Sequence, residues 1–278
     1  MSSGESRTGE ALVKRLPLHG MFLAAFVAGV SAQVSLAQES AAVKELIPTA
    51  KLRVGVVFAP AASAFFVVKD ANGQPRGVTV DLANELAEKL GVPVELMVAP
   101  NSGLITDATE SGAIDVAFVP VDDERKKRVA FGPAYYLIES TYMVTGASGI
   151  RTVAEVDRPN VRVVGIANTT TIRAAARSLK STTISAAPSV DEAVDMLRTG
   201  KADAFALSRD SLPPFVAALP GSRIVEGGFQ HTGIAIAVPK NRPNALAYVT
   251  AFLEDAKRSG SVRRALDRAG FPNEPVAP

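Results

Sequence analysis

Residues 111–136 constrain what this chain can fold into more than any other stretch. They read Ser-Gly-Ala-Ile-Asp-Val-Ala-Phe-Val-Pro-Val-Asp-Asp-Glu-Arg-Lys-Lys-Arg-Val-Ala-Phe-Gly-Pro-Ala-Tyr-Tyr. Gly112 suits the left-handed backbone that closes a helix. Ile114 to Val119 is an apolar run of the length of one buried strand. Pro120 has no amide to donate and stops that strand. Seven consecutive charged residues follow, Asp122 to Arg128, with Arg125 among them. Phe131-Gly132-Pro133 predicts another turn. The segment reads as a strand that carries an arginine to the loop at its carboxyl end, the edge where open α/β sheets bind ligands. A planar guanidinium there offers two parallel hydrogen bonds to a carboxylate. The plainer alternative is a solvated run of charge.

Composition narrows the function classes. The 278 residues suffice for one large or two small domains, and 47% hydrophobic content supports real cores. A formal charge of +2 gives no nucleic-acid footprint. With no cysteine, disulfides, thiolate metal sites, cysteine nucleophiles and a lipidated N-terminal cysteine are excluded. His19 and His231 are the two histidines, so a His-rich metal site is excluded and a Ser-His-Asp triad would have to use His231. No phosphate-binding or dinucleotide glycine motif is present. Neither a metal nor a cofactor is expected.

Met21 to Val30 is an apolar run too short to span a bilayer comfortably. Small residues at Ser35 and Ala37 stand at the spacing a signal peptidase reads, so residues 1–37 are read as a secretory signal peptide, with Ala32 a second cleavage candidate. Its removal takes away Arg7, Lys14, Arg15, Glu5 and Glu10, which lowers the formal charge from +2 by one. Beyond it strands and helices alternate. Strands are expected at 51–58, 65–68 and 76–80 (the last two around the Asn72-Gly73 turn), 94–98, 114–119, 138–145, 162–167, 182–186, 202–207, 223–225 and 232–238. Helices are expected after Asp81, over 101–111, from Asn168 through Ala176, over 190–198, over 212–219, and over 243–259 and 261–269 with Gly260 between them.

In these residues the chain resembles the bacterial extracellular solute-binding proteins, family 3, the amino-acid-type periplasmic binding proteins. The matching elements are Asp115, Glu124-Arg125, Phe131, Pro133 and Tyr135; Gly77-Val78-Thr79-Val80-Asp81-Leu82; Gly165 with Thr169-Thr170; and Gly200-Lys201-Ala202-Asp203-Ala204. The likeness runs over about residues 48–272. It implies an α/β, two-lobed periplasmic binding protein fold of type II, with two hinge crossings and a ligand cleft between the lobes. Residues 48–140 with 238–278 would form lobe 1, and 141–237 lobe 2.

The resemblance also implies roles. Arg125 would clamp the ligand carboxylate, and Thr169 and Thr170 would hold it from a helix start in the other lobe. Phe58, after the first strand, would stack on the ligand, with Phe65 a weaker candidate. Asp81 and Asp203 would be structural. Ser208 stands where amino-acid binders carry the acid that pairs with the ligand ammonium, and Pro120, Phe118 and Asn168 also depart from the family pattern. Either another acid (Asp122, Asp123, Asp210 or Glu226) takes that role, or the ligand is a carboxylate without an α-amino group. Arg209 would bind a second anionic group or sit in solvent. The function implied is the periplasmic solute-binding subunit of an ABC uptake transporter. It would be a monomer that binds a small carboxylate ligand, meets an inner-membrane ABC permease and performs no covalent chemistry. The alternative is a lyase like the cyclohexadienyl dehydratases, which share the fold. A sensory domain is a third reading, disfavoured because no output domain is read in the sequence.

Overall fold

The computed structural model describes residues 40–58, 63 and 65–278. The expected signal peptide and the turn at Ala59-Pro60 lie outside the described residues. In chain order the elements are a helix over 40–46 (α1), β1 (Leu52–Val57), β2 (Val68–Lys69), β3 (Pro75–Arg76), α2 (Val78–Leu90), β4 (Val94–Ala99), α3 (Ser102–Glu110) and β5 (Val116–Pro120). Then come α4 (Asp123–Arg128), β6 (Val129–Val144), α5 (Val153–Val156), β7 (Val163–Ile166), α6 (Thr170–Ser178), β8 (Ile184–Ala187), α7 (Val190–Arg198) and β9 (Ala204–Ser208). The chain finishes with α8 (Pro213–Ala218), β10 (Arg223–Ile224), β11 (Gln230–Pro239), α9 (Pro243–Arg258) and α10 (Ser261–Arg268).

Two parallel β-α units are joined through two long strands. The sheet order is β4-β1-β5-β11-β6-β9-β7-β8, with β10 pairing with β6. β4, β1 and β5 are parallel, as are β8, β7 and β9. Each trio meets one antiparallel strand, β11 beside β5 and β6 beside β9, and β6 and β11 pair with each other. These two are the crossings between the lobes. In the first lobe Leu82 and Leu86 of α2, Leu253 of α9 and Leu266 of α10 share a core with Leu52 and Val54 of β1. Ile105 of α3 packs with Ala117 and Val119 in a separate core. The second lobe has two smaller cores, one around Tyr142 and Ala206 and one around Met143 and Phe205.

Two local expectations are corrected. Phe131-Gly132-Pro133 is not a turn but part of β6, which runs unbroken for 16 residues. Its register against β11 slips between Ile234 and Ala237, where Pro133 has no ladder partner. A bulge is the place where a strand can accept a proline. Arg76 to Val80 is not a strand either: the hairpin stops at Arg76 and helix α2 begins at Val78, with Gly77 at a φ of 145° as its cap. Asp81 is structural as expected: its charge lies in the first turn of α2, where it favours the helix dipole, and it pairs with Arg268 of α10 at 2.8 Å.

The two lobes use the same charged clasp. In the first, Arg53 donates from its backbone amide and Nε to Asp115 Oδ2 (3.1 and 2.9 Å), and from Nη2 to Asp115 Oδ1 (2.7 Å) and to the Gly112 carbonyl (3.0 Å). In the second, Arg162 donates from its amide and Nε to Asp203 Oδ2 (both 2.9 Å), from Nη2 to Oδ1 (2.6 Å), and from Nη1 to the Gly200 carbonyl. The two Gly-x-x-Asp motifs thus each fasten the incoming turn of one strand to the start of its neighbour. Their surroundings differ. Asp115 is fully buried and also accepts from Nη1 of Arg242 at 2.7 Å, whereas Asp203 lies nearer solvent beside a mostly exposed Arg162.

Asp115→Ala leaves two partly buried guanidinium groups without their shared anion and is expected to cost more in chemical denaturation than Asp203→Ala. The hydrogen bond from Arg162 holds the Asp203 carboxyl below its ordinary pKa. Its contribution is therefore present above the unfolded-state pKa, near 4, and is lost as pH falls through the folded value. The melting midpoint of Asp203→Asn should lie a few degrees below that of the wild type at pH 7, and the gap should close below about pH 4. A gap independent of pH would contradict this role.

Candidate functional site

The carboxyl ends of both parallel trios face one cavity between the lobes. From the first lobe it is lined by Val57, Phe58, Phe66, Asn101, Ser102 and Pro120. From the second come Ile166, Thr169, Thr170 and Thr171 at the β7–α6 junction, Leu207 and Ser208 at the end of β9, and Ser211 and Phe215 beyond it. About 80 Å³ is open to the centres of water-sized spheres. None of the described residues on its wall carries a charge, and residues 59–64 read Ala-Pro-Ala-Ala-Ser-Ala, also uncharged.

Two helix starts supply its polarity. Asn101 caps α3, accepting from the Leu104 amide at 3.0 Å. Thr169 caps α6: its hydroxyl accepts from the Ile172 amide at 3.2 Å and donates to the Ile166 carbonyl at 2.8 Å. The amides of Ser102 and Gly103 in α3, and of Thr170 and Thr171 in α6, stand in first turns, where a helix offers no acceptor. Both starts carry the positive end of a helix dipole. Asn168, just before α6, takes a φ of 61°. Asparagine tolerates this left-handed backbone, which explains how it can stand where the resemblance has glycine.

Arg125 sits behind this end of the cavity rather than on its wall. Its guanidinium is 3% exposed by residue and donates from Nη1 to the Pro120 carbonyl (2.8 Å), and from Nη2 to Ser102 Oγ (2.6 Å) and the Asn168 carbonyl (3.2 Å). Two of these partners, Ser102 and Pro120, line the cavity. The arginine faces an outer recess shared with Gly103, Asp107, Asn168 and Arg173. Burial pulls its pKa down to about 10, so it remains a cation at neutral pH. All three acceptors of its side chain are neutral oxygens. Its backbone amide meets Asp122 Oδ1 at 2.8 Å, the cap of α4.

The expected site residues therefore separate. Phe58, Thr169, Thr170 and Ser208 line the cavity, and Arg125 reaches it through Ser102. Phe65 does not: it is fully buried in the first-lobe core, 4.1 Å between ring centroids from Tyr136, and Phe66 takes its place on the wall. Asp122 is engaged by Arg173 of α6 as well as by α4. Burial opposes its ionisation, but these bonds outweigh it and the pKa lies below the ordinary value. Asp210 accepts from Ser63 Oγ at 2.7 Å, and burial raises its pKa. Asp123 pairs with Lys126 at 3.2 Å, and Glu226 is exposed. Arg209 is neither on the cavity nor free, since it pairs with Glu139 and donates to the Gly227 carbonyl at 2.8 Å. The residues missed from the sequence are Ser102, Phe66, Ser211 and Phe215. Ser102 had one signal, its place directly after an N-cap asparagine.

The lobes meet around the cavity at Arg125 with Asn168, Asp122 with Arg173, and Ser63 with Asp210. Gly103 adds a fourth approach: a Cβ there would lie 2.5 Å from Asn168 Cβ and 3.0 Å from its carbonyl oxygen. Gly103→Ala should leave the melting midpoint unchanged or raised, since alanine favours a helix by about 1 kcal/mol. It should hold the lobes apart, giving a larger radius of gyration by small-angle scattering. An unchanged radius would mean that this approach does not limit closure.

Residues 54–270 match the profile of the bacterial extracellular solute-binding proteins, family 3. Among solved structures, the chain is 27% identical to the ancestral amino acid-binding protein AncCDT-1, a precursor of cyclohexadienyl dehydratase. That comparison covers 82% of this chain and 98% of the other at a TM-score of 0.70. The arginine-bound form of truncated ArgBP from T. maritima is 26% identical, covering 76% and 99% at a TM-score of 0.66. A shorter stretch of 68 residues is 37% identical to membrane-bound lytic murein transglycosylase F of Actinobacillus succinogenes, covering 24% of this chain and 14% of that relative's length.

Proposed function

Because this chain belongs to the bacterial extracellular solute-binding proteins, family 3, we propose that it is the solute-binding subunit of an ABC uptake transporter, closing its two lobes on a small carboxylate, an amino acid or a related organic acid. Proteins of this family are extracytoplasmic. The more specific address is the periplasm, reached by a signal peptide over residues 1–37. We take 48–140 with 238–278 as one lobe and 141–237 as the other, and the working form as a monomer that meets an inner-membrane permease.

The observation that carries this reading is the buried Arg125 guanidinium, held against neutral oxygens behind two helix starts. Burial opposes the Arg125 charge, Asp122 and Asp107 offset part of that cost, and a bound carboxylate would offset more. Ser102 accepts from Arg125 and keeps its own proton to donate. Opposite it stand the first-turn amides of Thr170 and Thr171. Arg125, Ser102, Thr169 and Thr170 thus form the acid end of the proposed site, and Phe58 and Ser208 line the remainder. A ligand that touches both lobes has more contacts when they are closed and shifts the population that way. Binding of this kind needs no covalent step. The second reading, a lyase like the cyclohexadienyl dehydratases, would need a general acid in the cleft.

A thermal-shift screen of amino acids, keto acids and dicarboxylates tests the reading. A ligand at 100 times its Kd adds about 2.7 kcal/mol, a rise of about 5–10 °C for a domain of this size. Arg125→Met should abolish that rise in a protein that still melts cooperatively. A full shift retained by the variant would remove Arg125 from the function.

A further inference from the structure

We propose that the cavity selects small apolar monocarboxylates that lack an α-ammonium group, because its anion-attracting end is intact while no acid stands among the described residues of its wall to meet a cation. The inference rests on the carboxylate reading above and narrows it.

The attractive end is built from both lobes. Arg125 Nη2 lies between Ser102 Oγ of α3 and the Asn168 carbonyl before α6 (2.6 and 3.2 Å). The same guanidinium therefore holds the two helix starts against each other. A carboxylate there would meet the Ser102 hydroxyl, the open amides of α6 and the field of a buried cation. All three favour negative charge.

The rest of the wall offers a cation nothing comparable. Ser208 donates to Ser211 Oγ at 2.8 Å, and the lone pairs these two hydroxyls keep offer an ammonium neutral acceptors only. The acids closest in sequence or across the interface stand off the described wall and are already bonded: the Asp210 carboxyl accepts from Ser63 Oγ at 2.7 Å and meets Ser208, with burial raising its pKa, and Asp122 holds Arg173 and the α4 cap. The remaining surface is hydrocarbon, from Val57, Phe58, Phe66, Ile138, Leu207 and Phe215. An ammonium enclosed there would lose its hydration without gaining an ionised partner, a cost an unaminated acid does not bear. The dipoles and the arginine that favour the carboxylate would repel the ammonium. The arginine bound by the T. maritima protein carries two such cationic groups; the cavity described here would reject both.

Calorimetric titration with matched pairs decides the point: 4-methylpentanoate against leucine, and 3-phenylpropanoate against phenylalanine, with 3-phenylpropanamide as the uncharged control. We expect each unaminated acid to bind at least about tenfold tighter than its amino acid, and the amide to bind more weakly than either acid. Amino acids binding as tightly as their unaminated partners would overturn the inference and leave the carboxylate reading standing. Equal binding of the amide and the acid would overturn the carboxylate reading itself, as would no binding of any member. Ser208→Asp supplies the missing acid. In a folded variant the preference should move toward the amino acid, and an unmoved preference would overturn the place given to Ser208. If that variant does not fold, the wild-type pairs alone decide.

Discussion

One buried guanidinium ties the cleft together. Arg125 is out of water, bonded to a strand-end carbonyl, a helix-start hydroxyl and a carbonyl of the opposite lobe. Holding a cation there costs solvation, and burial lowers its pKa to about 10 without discharging it. Much of the local architecture serves that position. β5 ends at Pro120 and releases its carbonyl, Asp122 caps the short helix that carries the arginine, and α3 begins at Asn101 so that Ser102 lies beneath the guanidinium. The electrostatic result is a neutral wall backed by a guanidinium whose bonded acceptors are all neutral.

The frame around it is doubled. Each lobe ties its first strand to its third by an arginine that grips an aspartate and a glycine carbonyl, Arg53 with Asp115 and Gly112, Arg162 with Asp203 and Gly200. These clasps lie at the amino ends of the strands, away from the cavity, so stability and recognition are assigned to opposite edges of the same sheet. The first-lobe clasp is the deeper one because Arg242, ahead of α9, also reaches Asp115. That contact fastens the C-terminal helices to the first lobe after the chain has crossed back along β11.

Much of the fold was readable in the sequence, since strand and helix periods and the Gly-x-x-Asp motifs are local signals. The 16-residue β6 was not, because Gly132-Pro133 carries a turn signature that only pairing with β11 overrides. The start of α2 was misread for a similar reason: Val78, Thr79 and Val80 favour a strand on their own, yet all three are buried in the first turn of a helix. Phe58, Thr169, Thr170 and Ser208, which the family resemblance pointed to, stand on the cavity wall. The order of layers could not be read, because whether Arg125 faces the ligand or stands behind Ser102 depends on how α3 meets the β7–α6 turn. Nor could sequence show that Phe65 packs inward and Phe66 outward, since adjacent residues of an irregular segment carry no period.

The most direct test of the account is a crystal structure of the protein with a carboxylate ligand found by titration. The account expects both carboxylate oxygens within hydrogen-bond distance of the Ser102 hydroxyl and the Thr170 or Thr171 amide, with the guanidinium of Arg125 still bonded to Ser102 and Asn168 behind them. A ligand whose carboxylate turns toward Ser208 and Ser211, with the α6 start left unfilled, would contradict it.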